Sequence, residues 1–165
     1  MEELAEAPSR DLVADVLQSV SGERRLLREL RAALDRQRRG VAAGDAAAIE
    51  VASRAVASAV LTLDNARRRR EQMMRVLSDG ADIRLEHLDR VTGPIEGLAE
   101  ARAALRVEAE AVIADLALTQ DVLQGALRAG DAWLQSLFAS VSAPAASYAP
   151  AVAAAPAGQL VNRRA

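Results

Sequence analysis

Apolar residues between Arg10 and Arg39 recur at Leu12, Val13, Val16, Leu17, Val20, Leu26, Leu27, Leu30 and Leu34. Steps of three and four residues draw one stripe along an α-helix and do not show the period of two expected of a strand. Gly22 falls inside this run and costs roughly 1 kcal/mol relative to alanine, so a bend or weak point is expected there. The stretch RGVAAGDAAAIE then breaks the pattern. Gly40 and Gly44 suit the left-handed conformation that ends a helix, and Asp45 is a good N-cap for the next. A second stripe runs from Ala46 to Leu77 through Ile49, Ala52, Val56, Val60, Leu63, Met73, Val76 and Leu77. Two long helices joined by so short a link predict an antiparallel hairpin.

Ser78-Asp79-Gly80 stops the second helix, and Asp82 is placed to cap a short third one carrying Ile83, Leu85, Leu88 and Val91. Thr92-Gly93-Pro94 restarts the chain, with proline at or near the first helical position, where its missing N–H does no harm. The fourth pattern, from Ile95 to Ser140, steps through Leu98, Ala101, Leu105, Ala109, Val112, Leu116, Leu123, Leu127, Leu134, Leu137 and Phe138. Alternation of three and four over several heptads argues for coiled-coil-like packing. The expected fold is all-α: an antiparallel bundle of long helices, a coiled-coil-like hairpin plus a long C-terminal helix, over residues 1–141. Pro144, Pro150 and Pro156 punctuate the Ala- and Ser-rich segment 142–165, which is expected to be a flexible tail.

Helix lengths add a geometric expectation. At 1.5 Å per residue the second helix is ~48 Å long and the fourth ~69 Å, so the fourth outruns the hairpin by ~20 Å, or about 13 residues. That overhang starts near Gly130, with Gly125 and Gly130 as points where it could swing. The chain's three aromatic residues, Trp133, Phe138 and Tyr148, all fall in or after it. Exposed aromatics at the centre of an interface are typical anchors, so the rings read as held for a partner. The same spacing also allows Trp133 and Phe138 to fold back on the bundle or cap its end.

Composition narrows the chemistry. The hydrophobic share is 51%, but much of it is alanine, which limits the area available for burial. All 21 basic side chains are arginine, and 23 acidic ones leave a net charge of −2, with no global attraction to nucleic acid or membrane. Cysteine is absent and His87 is the single histidine, so thiolate and His-pair metal sites are excluded. The acidic start MEELAEAPSR lacks a secretory n-region, and no run approaches ~18 consecutive apolar residues. The chain reads as soluble and cytoplasmic, without membrane insertion. Arg67–Arg70 is the most basic stretch; it reads as a solvated helix face with a local Arg67–Glu71 pair and some side chains snorkelling near the seam. Glu108, Glu110, Asp115 and Asp121 read as single, solvated carboxylates. No nucleophile, base and orienter converge, so no catalytic residue, metal site or cofactor is expected.

The chain as a whole, roughly residues 10–165, resembles the FlgN-type flagellar export chaperones. The likeness lies in LLRELRAAL (Leu26–Leu34), the hairpin AAGDAAAIE (Ala42–Glu50), the extended helix DLALTQDVLQGALRAGDAWLQSLF, and an irregular tail with a tyrosine that closes on QLVNRRA. Where that family often carries Asn ahead of its terminal Leu-rich run, this chain has Thr119, Gln120 and Asp121. The resemblance implies an antiparallel helical bundle that binds the terminal helices of hook–filament junction proteins, prevents their early assembly and brings them to the export gate of the flagellar secretion apparatus. The client surface it implies comprises Leu123, Leu127, Trp133, Leu134, Leu137 and Phe138, and Tyr148 is the candidate for docking on the export gate. Two other readings stand beside it: a homodimeric coiled-coil protein joined through the end of the fourth helix, and an Arg-rich nucleic-acid-associated protein using Arg67–Arg70.

Overall fold

The computed structural model describes residues 7–142, and the expected tail beyond residue 142, with Tyr148, lies outside them. The described residues form four α-helices and one 3-10 turn, with no strand among them. The helices are α1 (Ala7–Ala43), α2 (Ala46–Leu77), α3 (Leu88–Thr92) and α4 (Leu98–Ser142), and the 3-10 turn covers Leu85–His87. The all-α bundle expected from the periodicity is the fold observed. Two compact units are distinguished along the chain, Met1–Leu127 and Arg128–Ala165, so the division falls inside α4.

In the first unit, α1 and α2 form the hairpin. Gly44, at φ +65°, makes the turn, and Asp45 caps α2 by accepting from the Ala48 N–H at 2.9 Å. Antiparallel register follows from the facing pairs. Arg70 meets Glu23, while Gln37 donates to the Ser53 hydroxyl at 2.8 Å. Gly40 does not end α1, as expected from sequence, but lies within it. A Cβ there would stand 3.1 Å from the Ile49 Cγ1 and backbone N, so glycine serves close helix approach instead. Gly22 does not break α1 either. Burial of Val16, Val20, Leu27 and Leu30 on both sides of it contributes roughly 1.5–3 kcal/mol each, against a propensity cost of about 1 kcal/mol.

Two apolar clusters hold the unit. One joins Val16 and Met74 to Leu88 and Leu98, with Leu17, Leu77, Ile83 and Ile95 packed around them. The other sets Val112 of α4 against Leu27, Leu30 and Leu34 of α1, with Val56 and Leu63 of α2 alongside. The short connection differs in detail from its expected form. Asp82 and Ile83 precede the 3-10 turn, and α3 starts at Leu88. Pro94 lies four residues before α4, because Gly93 and Gly97, at φ +81° and +78°, turn the chain between them. Arg102 then ties the start of α4 to that connection, donating to the Leu85 and Glu86 carbonyls at 3.2 and 2.9 Å and to Asp89 Oδ2 at 3.0 Å.

Candidate interaction surface on the last helix

Which face of α4 meets α1 is decided by polar residues. Arg28 Nε donates to Glu108 Oε1 at 2.6 Å, and Arg31 Nε to Asp115 Oδ2 at 2.8 Å. Arg38 reaches Asp115 Oδ1 at 3.2 Å and the Thr119 hydroxyl at 2.8 Å. Close backbone approach is found between α1 and α2, whereas α1 reaches α4 largely through these long side chains. The Arg28 hydrogen bond holds the Glu108 carboxyl below the usual carboxylate range, and Asp115 raises the Arg31 guanidinium further. Glu108 and Asp115 are therefore part of the helix–helix seam, which corrects their reading as solvated carboxylates; Glu110 and Asp121 are exposed as expected. Leu116, assigned to the seam by its spacing, is 42% exposed one position away from Asp115.

These contacts also fix direction. Arg28 faces Glu108 and Arg38 faces Thr119, so α4 runs parallel to α1 and antiparallel to α2. Continuing the same offset sets Ala43, the last residue of α1, level with the turn of α4 around Gln124. From Gln124 to Val141 every described side chain is exposed. Burial along α4 therefore ends at Leu123, a few residues ahead of Gly130.

The sequence-derived surface residues divide accordingly. Leu123 is half-buried in the first unit, and Leu127 is 69% exposed at its end. In the second unit Trp133 and Phe138 are exposed by 62% and 66%, and Leu134, Leu137 and Val141 are exposed with them. The opposite side of this stretch is small and polar: Ala129, Ala132, Ser136 and Ala139. Ser136 and Ser140 donate their hydroxyls to the carbonyls of Trp133 and Leu137 within the helix. Sequence reasoning missed Val141, whose four-residue step from Leu137 was available as a signal.

The arginine stretch is mostly engaged by the protein itself. Arg70 is buried with Glu23, at 2.6 Å, while Arg67 and Arg68 pair with Glu71 and Asp64 one helical turn away. Among the described residues no group of three acidic or histidine side chains is arranged to hold a metal ion, and His87 is exposed in the 3-10 turn. Among the described residues, α2 is the one helix that by length and hydropathy reaches the composition of a membrane-crossing helix, and only 6% of its most apolar window is buried. That differs from the count of consecutive apolar residues, because alanine raises the mean while Glu50 and Arg54 interrupt the run. Compared with known proteins, the chain matches no family model, no curated protein and no solved structure.

Proposed function

We propose that this chain is a non-catalytic export chaperone that captures an amphipathic helix of a client subunit on the end of α4. The observation that carries the reading is the exposure of Leu127, Trp133, Leu134, Leu137 and Phe138 on a helix whose other side is small and polar. A client helix laying its apolar face along these residues is the helix-in-groove mode, with Trp133 as the anchor. The resemblance to FlgN-type chaperones supplies the client class, the terminal helices of hook–filament junction proteins, and a cytoplasmic place of action. It also supplies the second partner, the export gate, for which Tyr148 is the candidate contact.

Isothermal titration of the full chain with terminal helical peptides of junction proteins tests the reading. Saturable binding is expected, and removal of residues after Leu127 should abolish it while the first unit keeps its helical signal. Unchanged affinity in that truncation would overturn the site. Trp133→Ala should weaken binding about 30-fold, the equivalent of roughly 2 kcal/mol for an anchor residue.

A further inference from the structure

The exposed residues of the second unit fall into a heptad with a distinctive flank. Leu127, Leu134 and Val141 occupy the first core position of successive heptads, and Gly130 and Leu137 the second. Trp133 and Phe138 sit on the two sides of that seam, at the positions preceding Leu134 and following Leu137. Flanking positions five residues apart face each other across a parallel two-stranded coiled coil. The two rings are spaced by five.

We infer that α4 pairs with α4 of a second copy of this chain, parallel and in register, through Leu127, Leu134, Leu137 and Val141, with Trp133 of each copy against Phe138 of the other. Charge permits the pairing. Flanking positions normally carry charges that select partner and direction, yet from Ala126 to Ser140 Asp131 is the only charged one. In the parallel register Asp131 meets Ala126, so no like charges face each other. An antiparallel pair would not bring each Trp133 onto a Phe138 by the same five-residue rule. Pairing is confined to the end of α4 because Val112 and Thr119, the flanking positions further back, are buried against α1. The segment is already helical as part of α4, so the nucleation cost that makes short isolated helices marginal does not arise. The pair covers the surface proposed above for the client, so clients would bind by displacing the second copy. That regulatory role rests on the client reading; the self-pairing does not.

The absence of cysteine makes the register directly testable. Gly130→Cys and Val141→Cys, made singly in the full chain, place a thiol at each kind of core position, and a Cβ at Gly130 meets nothing within 4 Å. In a parallel in-register pair, equivalent core positions come within disulfide reach, so both variants should form covalent dimers under mild oxidation. Ala132→Cys, on the outer side, should not. Sedimentation equilibrium of the unaltered chain should give twice 17.5 kDa at micromolar concentration. Leu134→Asp with Leu137→Asp should weaken association at least about tenfold, by setting like charges across the seam, with the helical signal unchanged. A monomer throughout that range, cross-linking of only one core variant, or equal cross-linking of Ala132→Cys would overturn the inference. Adding the client peptide separates the two proposals. A monomeric chain that binds the peptide overturns self-pairing alone, and a dimer that never binds it overturns the client reading alone. A dimer that dissociates as the peptide binds supports both.

Discussion

Arg70 illustrates how little a residue's type says about its role. It is one of four consecutive arginines, and its neighbours Arg67 and Arg68 pair on the surface within their own helix. Arg70 instead lies buried, with two nitrogens on the two oxygens of Glu23 and a third 3.6 Å from Met74 Sδ. Removing one member of a buried pair leaves the other charged and unsatisfied, so Arg70→Met should cost about 3–5 kcal/mol. Glu23→Leu combined with Arg70→Met should recover most of that loss, which urea titration of the three proteins would measure. At Trp133, the single tryptophan, the readout is optical. Its 62% exposure predicts water-like emission in dilute protein and a blue shift whenever a second helix covers α4.

At the scale of elements, the hairpin was legible because its signals are local. Asp45, Gly44 and the alanines after them specify a turn and a cap within a few residues, and the cap is the one observed. Asp45→Ala should cost about 1 kcal/mol through loss of that hydrogen bond. Gly22→Ala should have the opposite sign. The backbone there is helical, nothing lies within 4 Å of an added Cβ, and about 1 kcal/mol of helix propensity is gained. Thermal melts of the two variants should therefore move in opposite directions. Gly40 looks the same as Gly22 in sequence, yet its Cβ would crowd Ile49, so its role depends on a neighbouring helix. The start of α4 was misplaced for a similar reason. Proline suits a first helical turn, but the positive φ of Gly97 sets the boundary, and Arg102 fastens the new helix to carbonyls of the preceding connection.

At the scale of the molecule, the attachment of α4 depends on charge as well as on apolar burial. Glu108 of α4 has its ionisation favoured by Arg28 and then Arg31 of α1, while Asp35 is favoured by Arg39 and Arg38 within α1 itself. Both carboxyls titrate lower when folded than when unfolded, so their stabilisation is complete above the ordinary carboxylate range. It is lost as pH falls through their depressed folded values. Stability should accordingly drop on acidification below that range, and Glu108→Gln should flatten the dependence in melts recorded across pH. High salt should weaken the same seam at neutral pH, since Arg28 and Arg31 are partly exposed and their pairs are screened.

The sequence by itself determined that the chain is helical, where the hairpin turns, and which stretch carries the rings, because periodicity, caps and composition act over one or two turns. It also carried the great length of α4, since rise per residue converts residue counts directly into length. Tertiary structure alone decided which face of α4 meets α1. Two overlapping stripes compete there, one through Leu116 and Leu123 and the other through Glu108, Val112, Asp115 and Thr119. The second prevails because Arg28, Arg31 and Arg38, some eighty residues earlier in the chain, stand where they can satisfy its carboxylates. Leu116 is left exposed by that choice, and the side chains of α4 from Gln124 to Val141 are exposed with it.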